Sequence, residues 1–276
     1  MKFMRFSIES LIVIVIAVMI LSISVLEISG VFNIFPSSGV LDTLNIPSFG
    51  VILGGLLLSL SLSQTNKNIR DTTVFATNLL FHPDFSKETE KRDISELFNW
   101  QKELKTNYNL ARVELSKKLS NTFEGYLFTL VNTNYEPDKI RELGLIKAKE
   151  KYANLRQISS IFEQLSDTAP AYGMLGTLIG LIFMLQRFEN VQDLGEGLAF
   201  ALMTTFYGLI FAYTLFTPLA KKAALYADKS LKRDLFILNG FIMILNGDEP
   251  LAVFDHLCAD REGYLFDDEL TQMDVT

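Results

Sequence analysis

The sequence predicts an all-α, polytopic membrane protein with four transmembrane helices and a helical cytoplasmic domain. Of its 276 residues, 49% are hydrophobic and 21% are charged, a mixture typical of membrane spans joined to an aqueous part. The apolar residues gather in four runs of about 20 residues, the length that a helix needs to cross a bilayer. Between the second and third runs, apolar residues recur every three or four positions, which indicates amphipathic helices.

The four apolar runs define the transmembrane helices. We place these spans at residues 8–28, 46–63, 169–188 and 194–220. The first run follows Lys2 and Arg5, but it is longer than the apolar region of a signal peptide and no small-residue cleavage site follows it. We therefore interpret it as a retained anchor.

Basic residues beside the spans predict the orientation of the chain, because cytoplasmic loops carry an excess of Lys and Arg. Such residues precede span one and follow spans two and four: Lys2, Arg5, Lys67, Arg70, Lys221 and Lys222. The loop 30–45 contains neither Lys nor Arg, and the turn 189–193 is acidic. Both termini are therefore expected on the cytoplasmic side of a bacterial inner membrane.

This orientation divides the chain into four parts. They are a transmembrane hairpin at 1–65, a cytoplasmic helical domain at 66–168, a second transmembrane hairpin at 169–220, and C-terminal cytoplasmic helices with an acidic tail at 221–276. Helix breaks are expected at Pro83 and 136–138, and one long helix at 138–164 should run straight toward span three. Two further helices are expected at 221–246 and 250–258.

Composition argues against several classes of function. The net charge is -7, and no basic surface stands out for nucleic acid. A single cysteine, Cys258, excludes an intrachain disulfide, and with His256 alone it is a weak metal signal because zinc takes three or four protein ligands. The cytoplasmic domain lacks a phosphate-binding glycine loop, a metal-ligand cluster, and a nucleophile near a histidine. We therefore expect a protein that is not an enzyme and has no cofactor.

Small, weakly polar residues form a stripe on each of the last two spans. At about 100° per residue, one face of span three carries Pro170, Gly173, Thr177, Gly180 and Met184. The stripe on span four consists of Gly197, Ala201, Thr205, Gly208 and Ala212, with Thr204 at its edge. Two readings stay open: the stripes allow tight helix packing, or they line a narrow and partly hydrated passage.

Two prolines lie near the cytoplasmic ends of these spans. Pro170 and Pro218 each remove a backbone donor from the helical hydrogen-bond ladder, which favours kinks. The freed carbonyls and the threonine hydroxyls would suit a hydrated passage at membrane depth.

The central parts of the last two spans contain no charged side chain. There is no Asp, Glu, Lys or Arg in 169–185 or in 197–220, whereas membrane proton and sodium relays usually rely on a buried carboxylate. Glu27 is the only internal candidate, and it lies at the outer end of span one. If the chain conducts ions, the carboxylate is expected to come from a second chain.

Several segments resemble one family of membrane proteins. The segments 169–180, 194–199 and 204–208 are similar to the signature of the MotA/TolQ/ExbB channels, and Pro218 matches the second proline of that family. Gly176, within the first segment, belongs to this signature. The start of span two and the segments 239–242 and 246–250 resemble the MotA-type, flagellar stator members, which share the four-span layout.

The resemblance implies an assembly and a mechanism. Five copies would surround two copies of a MotB-like, single-span partner that supplies the ion-carrying aspartate. H⁺ or Na⁺ would pass Thr177, Thr204 and Thr205, with Pro170 and Pro218 as gating positions. Small residues would pack the helices around the partner: Gly173, Gly176, Gly180, Gly197, Ala201, Gly208 and Ala212. The hydroxyls at both Thr177 and Thr205 slightly favour sodium, since oxygen ligands suit a hard cation.

The sequence departs from the family in the segment expected to contact the driven partner. The resemblance implies that the cytoplasmic domains push a rotor ring such as the flagellar switch protein. Flagellar members usually have an arginine-rich patch there, whereas this chain has the stretch 105–109, so Lys105, Arg112 and Glu114 become the candidate contacts. A related motor that drives gliding, envelope energisation or defence is one alternative, and a non-conducting membrane scaffold is another.

Overall fold

A computed structural model describes residues 8–28, 46–81, 87–120, 122–186, 191–250 and 252–253. The helices in these ranges are α1 (Ile8–Ile28), α2 (Ile46–Ser63), α3 (Asn66–Phe81), α4 (Lys87–Lys118), α5 (Phe123–Asn132), α6 (Pro137–Gln186), α7 (Val191–Ile210) and α8 (Thr217–Asn246). A π-helical segment, Phe211–Phe216, joins α7 to α8. These ranges contain no strand, and the all-α prediction is confirmed.

The apolar helices lie where the spans were expected. Three described stretches are long and apolar enough to cross a membrane: Ile46–Ser63 and one stretch within each of Pro137–Gln186 and Gly197–Asn246. The fourth apolar helix, α1, has 21 residues, and its apolar part includes Val15–Val25. The fold is therefore that of a helical membrane protein.

One continuous helix joins the predicted 138–164 helix to span three. α6 begins at Pro137 and has 50 residues, in agreement with a proline in the first turn. The end of the predicted span at 187–188, the break at Pro83, the side chains of Glu27 and His256, Cys258, and most of the helix expected at 250–258 lie outside the described residues.

Internal contacts divide the chain into two units. One consists of Met1–Pro83 and Arg156–Leu225, and we call it the membrane unit. The other consists of Asp84–Leu155 and Tyr226–Thr276, and we call it the globular unit. α6 and α8 each contribute one part to each unit. The four-part division expected from the sequence stays a prediction.

The globular unit has an aromatic core. The ring of Phe128 meets Trp100 edge-on at 5.4 Å and Phe241 edge-on at 5.0 Å between centroids, and all three residues are buried. Each such pair contributes about 0.5–1.5 kcal/mol beyond its buried area. α5 supplies Phe128 and begins at an N-cap in which the Thr122 hydroxyl accepts a hydrogen bond from the Gly125 N–H at 3.2 Å.

A network of charges is also buried in the globular unit. The Arg233 guanidinium donates two hydrogen bonds to Asp93, at 2.7 and 2.8 Å, and a third to Glu124 at 2.8 Å. The adjacent Asp234 accepts hydrogen bonds from the Lys151 ammonium at 2.8 and 3.0 Å. The three carboxylates are almost fully buried, whereas the Lys151 side chain is 42% exposed.

Two carboxylates of this network, Glu124 and Asp234, have pKa shifts of opposite sign. Burial alone would raise the pKa of Glu124, but its own backbone N–H, the Arg233 charge and the Thr122 hydroxyl together lower it. Burial raises the pKa of Asp234 above its ordinary value, because Lys151 offsets only part of the desolvation. Hydrogen bonds and the Arg233 charge thus outweigh the cost of burying the Glu124 carboxylate. For Asp234, the corresponding interactions offset only part of the cost of burial.

In the membrane unit, α2 packs closely on α1 through its glycines. A Cβ atom placed on Gly54 would lie 2.8 Å from Leu21 Cγ and 3.2 Å from the Ala17 carbonyl oxygen. α2 also meets α7, where the Ser48 hydroxyl donates to the Phe200 carbonyl at 3.4 Å. Because glycine has no side chain, the backbones of neighbouring helices can approach each other closely here, as expected in a bilayer.

Candidate functional site

The small-residue stripes of the last two spans meet along the hairpin formed by the end of α6 and α7. A Cβ atom on Gly176 would lie 2.6 Å from Thr204 Cβ, and one on Gly180 would lie 3.0 Å from the Gly197 carbonyl oxygen. These distances are too short for a side chain, so the glycines set the separation of the two helices.

The same packing continues toward the π segment. A Cβ atom on Gly208 would lie 2.8 Å from the Ala169 carbonyl oxygen and 3.2 Å from Gly173 Cα. Ala201 lies 3.1 Å from the corresponding position on Gly180. The hairpin is therefore built on a series of matched small residues from its turn to the level of Ala169.

Five of the seven residues predicted to pack around a partner thus contact one another within this chain: Gly173, Gly180, Gly197, Ala201 and Gly208. A sixth, Gly176, packs on Thr204. This arrangement agrees with the first interpretation of the stripes, namely that small residues allow the two helices to pack tightly. Ala212, the seventh, is fully buried in the π segment. Contact of these residues with a partner helix stays a prediction.

The three predicted ion-pathway threonines differ in exposure. Thr204 is fully buried, and its hydroxyl donates to the Ala201 carbonyl at 2.8 Å. The half-buried Thr205 donates across the hairpin to the Gly173 carbonyl at 3.3 Å. Thr177 donates to the Met174 carbonyl at 2.6 Å and retains exposed surface. Thr177 and Thr205 therefore retain some exposed surface, whereas Thr204 has none. A role of the three threonines in an ion pathway stays a prediction.

A group of hydroxyls missed by the sequence analysis lies at the π segment. The Ala212 carbonyl accepts hydrogen bonds from the Thr217 N–H and, at 2.8 Å, from the Thr217 hydroxyl. The Ser166 hydroxyl of α6 lies 3.2 Å from the same carbonyl and 2.7 Å from Thr217 Oγ1. The only sequence signal for this group is a threonine directly before Pro218.

The two predicted gating prolines have different surroundings. Pro170 lies inside α6, which remains helical across it. Pro218 lies two residues after the π segment, in the first turn of α8. Since a proline lacks the N–H that would continue the ladder, the widened π turn before Pro218 is a physically reasonable response to it.

The central stretches of this hairpin lack charged side chains. The described residues of the two spans, 169–186 and 197–220, contain no Asp, Glu, Lys or Arg. No group of three or more His, Cys, Asp or Glu side chains suited to a metal occurs in the ranges that the structure describes. The hairpin therefore offers hydroxyl and carbonyl oxygens as its polar groups.

The predicted rotor contacts lie on α4 of the globular unit. This helix is interrupted at Asn107, where φ is -151° and ψ is 81°. Arg112 donates to the Asn134 side chain at 2.8 Å and lies over the Tyr108 ring at 5.5 Å from its centroid. Lys105 and Glu114 are exposed. Arg112 is thus held in place, whereas the other two side chains project into solvent.

The fold and the hairpin define a polytopic helical membrane protein whose last two spans lack charged side chains in their central stretches, 169–186 and 197–220. Comparison with known proteins narrows this class. Residues 111–233 match the model of the MotA/TolQ/ExbB proton channel family. Over these residues the predicted resemblance to this family is confirmed.

Individual relatives extend the match beyond that region. The chain is 30% identical to the chemotaxis protein PomA of Vibrio alginolyticus over 143 residues, which are 51% of this chain and 55% of PomA. It is 26% identical to the uncharacterized protein YtxD of Bacillus subtilis (strain 168) over 239 residues, 86% of this chain and 84% of YtxD. The chain thus spans about half of the length of PomA and most of that of YtxD.

A solved structure shows the same fold. The flagellar MotAB stator complex from Bacillus subtilis contains a chain that superposes with a TM-score of 0.68 at 20% sequence identity, covering 94% of this chain and 98% of that one. At this identity the likeness concerns the fold.

Proposed function

We propose that this protein is an ion-conducting stator subunit that, with a MotB-like partner, converts a transmembrane H⁺ or Na⁺ gradient into rotation, with the bacterial flagellum as the driven machine. One observation carries the proposal: a chain whose residues 111–233 match a proton channel family has the partly exposed threonines Thr177 and Thr205 in helix stretches, 169–186 and 197–220, that contain no Asp, Glu, Lys or Arg. Such a hairpin can solvate a cation but cannot carry a proton through titration.

The missing carboxylate supports a second subunit. A single-span partner with an aspartate at membrane depth would complete the pathway. The exposed apolar residues of the hairpin, such as Met174, Leu178, Leu202 and Phe206, are suited to lipid, to further copies of the chain or to that partner. We propose a homopentamer around two partner helices, an arrangement supported by the resemblance to MotAB stator complexes.

The proposed location is the bacterial inner membrane with both termini in the cytoplasm. The distribution of Lys and Arg around the spans supports this orientation. The globular unit would then lie in the cytoplasm, where Lys105 and Glu114 on α4 are exposed for contact with a rotor ring. Arg112 would contribute through its fixed position beside Tyr108.

Ion flux tests the proposal directly. The chain is coexpressed with a single-span partner that has an aspartate early in its span, and the purified complex is reconstituted into vesicles. We expect cation flux that falls about two- to tenfold in Thr177→Val and in Thr205→Val, the change for losing one hydrogen bond of about 0.5–1.5 kcal/mol. Exchange of sodium for potassium at fixed pH identifies the ion.

Thr73→Val is the matched control, because this exposed threonine of α3 bonds only a carbonyl of its own helix, at 2.8 Å to Arg70. Unchanged flux in all three variants would show that the threonines do not line the pathway. Absence of flux in the unaltered complex would favour the non-conducting scaffold.

A related motor with a different output is the second candidate. It is favoured by α4, where the stretch 105–109 contains one basic residue, Lys105, and a helix break at Asn107 in place of an arginine-rich patch. Restored swimming of a stator-deficient flagellated strain supports the flagellar output. Flux without swimming supports the alternative.

A further inference from the structure

The π segment separates two helix registers that are each fixed by packing on α6. On its N-terminal side, Gly208 contacts Ala169 and Gly173, and Thr205 bonds Gly173. On its C-terminal side, the buried hydroxyl of Ser159 donates to the Ala220 carbonyl at 2.9 Å. The π segment is therefore the place where the two registers are reconciled.

A regular helix could not satisfy both sides. Changing a π turn to an α turn shifts the chain by one residue, which turns one side relative to the other by about 100°. With the C-terminal side held, Tyr207 or Leu209 would replace Gly208 against Ala169, where even a Cβ atom would be 2.8 Å from the carbonyl oxygen. The extra residue of the π turn is thus needed to present glycine there.

Hydroxyls stabilise this turn from two directions. Three oxygens, Ser166 Oγ, Thr217 Oγ1 and the Ala212 carbonyl, lie 2.7, 2.8 and 3.2 Å apart, and two hydroxyl protons serve them. The two shorter distances indicate that Ser166 donates to Thr217 and Thr217 donates to Ala212. Such a chain of hydrogen bonds strengthens each member, and it links α6 directly to the carbonyl that defines the π turn.

The geometry points to Ser166 and Thr217 as positioning residues for the ion pathway: their hydroxyl relay fixes the π turn and thereby the face of α7 that presents Thr205. Neither residue needs to touch the ion. This inference rests on the proposed function for the role of Thr205, whereas the register itself can be tested separately.

The register is tested by chemical accessibility. In a Cys258→Ala background, which removes the only native cysteine, Thr204→Cys should be inert to a membrane-permeant maleimide, because Thr204 is fully buried. Adding Ser166→Ala or Thr217→Val should raise its labelling rate about two- to tenfold, since loss of the relay weakens the turn by about one hydrogen bond. Adding Ser166→Thr, which keeps the hydroxyl, should leave it low.

Thr214→Val is the matched control, because Thr214 is an exposed threonine of the same π segment. It should change neither labelling nor flux. If Thr204→Cys stays inert after both Ser166→Ala and Thr217→Val, the inference is overturned.

A second readout connects the register to conduction. In reconstituted complexes, Ser166→Ala and Thr217→Val should lower flux and change the ratio of sodium to proton flux, while Ser166→Thr retains both. Altered labelling with an unchanged ratio overturns the positioning role. Altered labelling in a complex that never conducts would leave the register assignment standing and refute the proposed function.

Discussion

The membrane unit and the globular unit bury different kinds of polar group. In the membrane unit, the buried polar side chains that the structure describes are all hydroxyls: Ser24, Ser48, Ser61, Thr72, Ser159 and Thr204. In the globular unit they include Asp93, Glu124 and Asp234. A hydroxyl can bond a backbone carbonyl within or between helices, whereas a carboxylate needs a cation, which is costly in a bilayer.

The apolar contacts differ in the same way. The globular unit excludes water from large rings such as Trp100, Phe128 and Phe241, so the hydrophobic effect rewards size. Between membrane helices lipid is as apolar as the side chains, and close backbone approach at glycines such as Gly176 and Gly208 becomes the main source of contact. Substitutions should therefore damage the two units for different reasons.

Arg233→Met should have the largest effect. It removes the guanidinium that bonds Asp93 and Glu124 and leaves both carboxylates buried without a cation, at a cost of about 3–5 kcal/mol in the free energy of unfolding. Thermal unfolding of the detergent-solubilised chain, followed by circular dichroism, measures the change. Lys232→Met, at the exposed neighbouring position, is the control. Equal Tm values for the two variants would refute a stabilising network.

Gly176→Val tests the contrasting principle in the membrane unit. The new side chain would collide with Thr204, because its Cβ alone would lie 2.6 Å from Thr204 Cβ, and overpacking costs about 1–3 kcal/mol. We expect a lower yield of monodisperse protein after solubilisation. Gly195→Val should be neutral, since no atom lies within 4 Å of the Cβ position on Gly195. A comparable loss in both variants would attribute the effect to glycine itself.

Asp234→Asn should have the smallest effect and a distinctive pH dependence. A raised pKa means that the folded state binds the proton more tightly, so stability from this group is present below pH 3.8, the ordinary pKa, and is lost as pH rises through the folded value. Asparagine at this position is not subject to that loss, and the substitution leaves only the half-exposed Lys151 unpaired. The free energy of unfolding of the variant should therefore differ from that of the unaltered chain by less than about 1 kcal/mol at neutral pH.

Unfolding as a function of pH checks this prediction. Stability of the unaltered chain relative to Asp234→Asn should fall as pH rises from 3.8. The exposed Glu103 supplies a control in Glu103→Gln, which should show no such trend. A relative rise in stability with pH would mean that Lys151 more than compensates the burial of Asp234.

The spans could be predicted from the sequence because they depend on local composition. Runs of apolar residues and the helical period located α2, the long α6 and the apolar stretch that begins in α7 without knowledge of tertiary contacts. The small-residue stripes were also visible. Their partners were not, because an arc of about 80° on a helix includes both Gly173, which packs on Gly208, and Thr177, which remains partly exposed.

Other features depend on contacts between distant residues. Arg233 and Asp93 are separated by 140 positions, and no sequence period relates them. The π turn has the same helical pattern as its neighbours. Besides Pro218, the residues that contact this turn or the helix on either side of it include Ser159, Ser166 and Ala169, which lie on another helix. Such details depend on tertiary packing, and a single sequence does not show which distant residues come into contact.

The position of Trp100 has a practical consequence. It is the only tryptophan of the chain, it is 5% exposed, and the ring of Phe128 shields it. Excitation near the red edge of indole absorption therefore reports on the globular unit alone, even in detergent or lipid. A red shift of the emission during denaturation would follow the opening of that aromatic core while the bilayer-embedded helices stay optically silent.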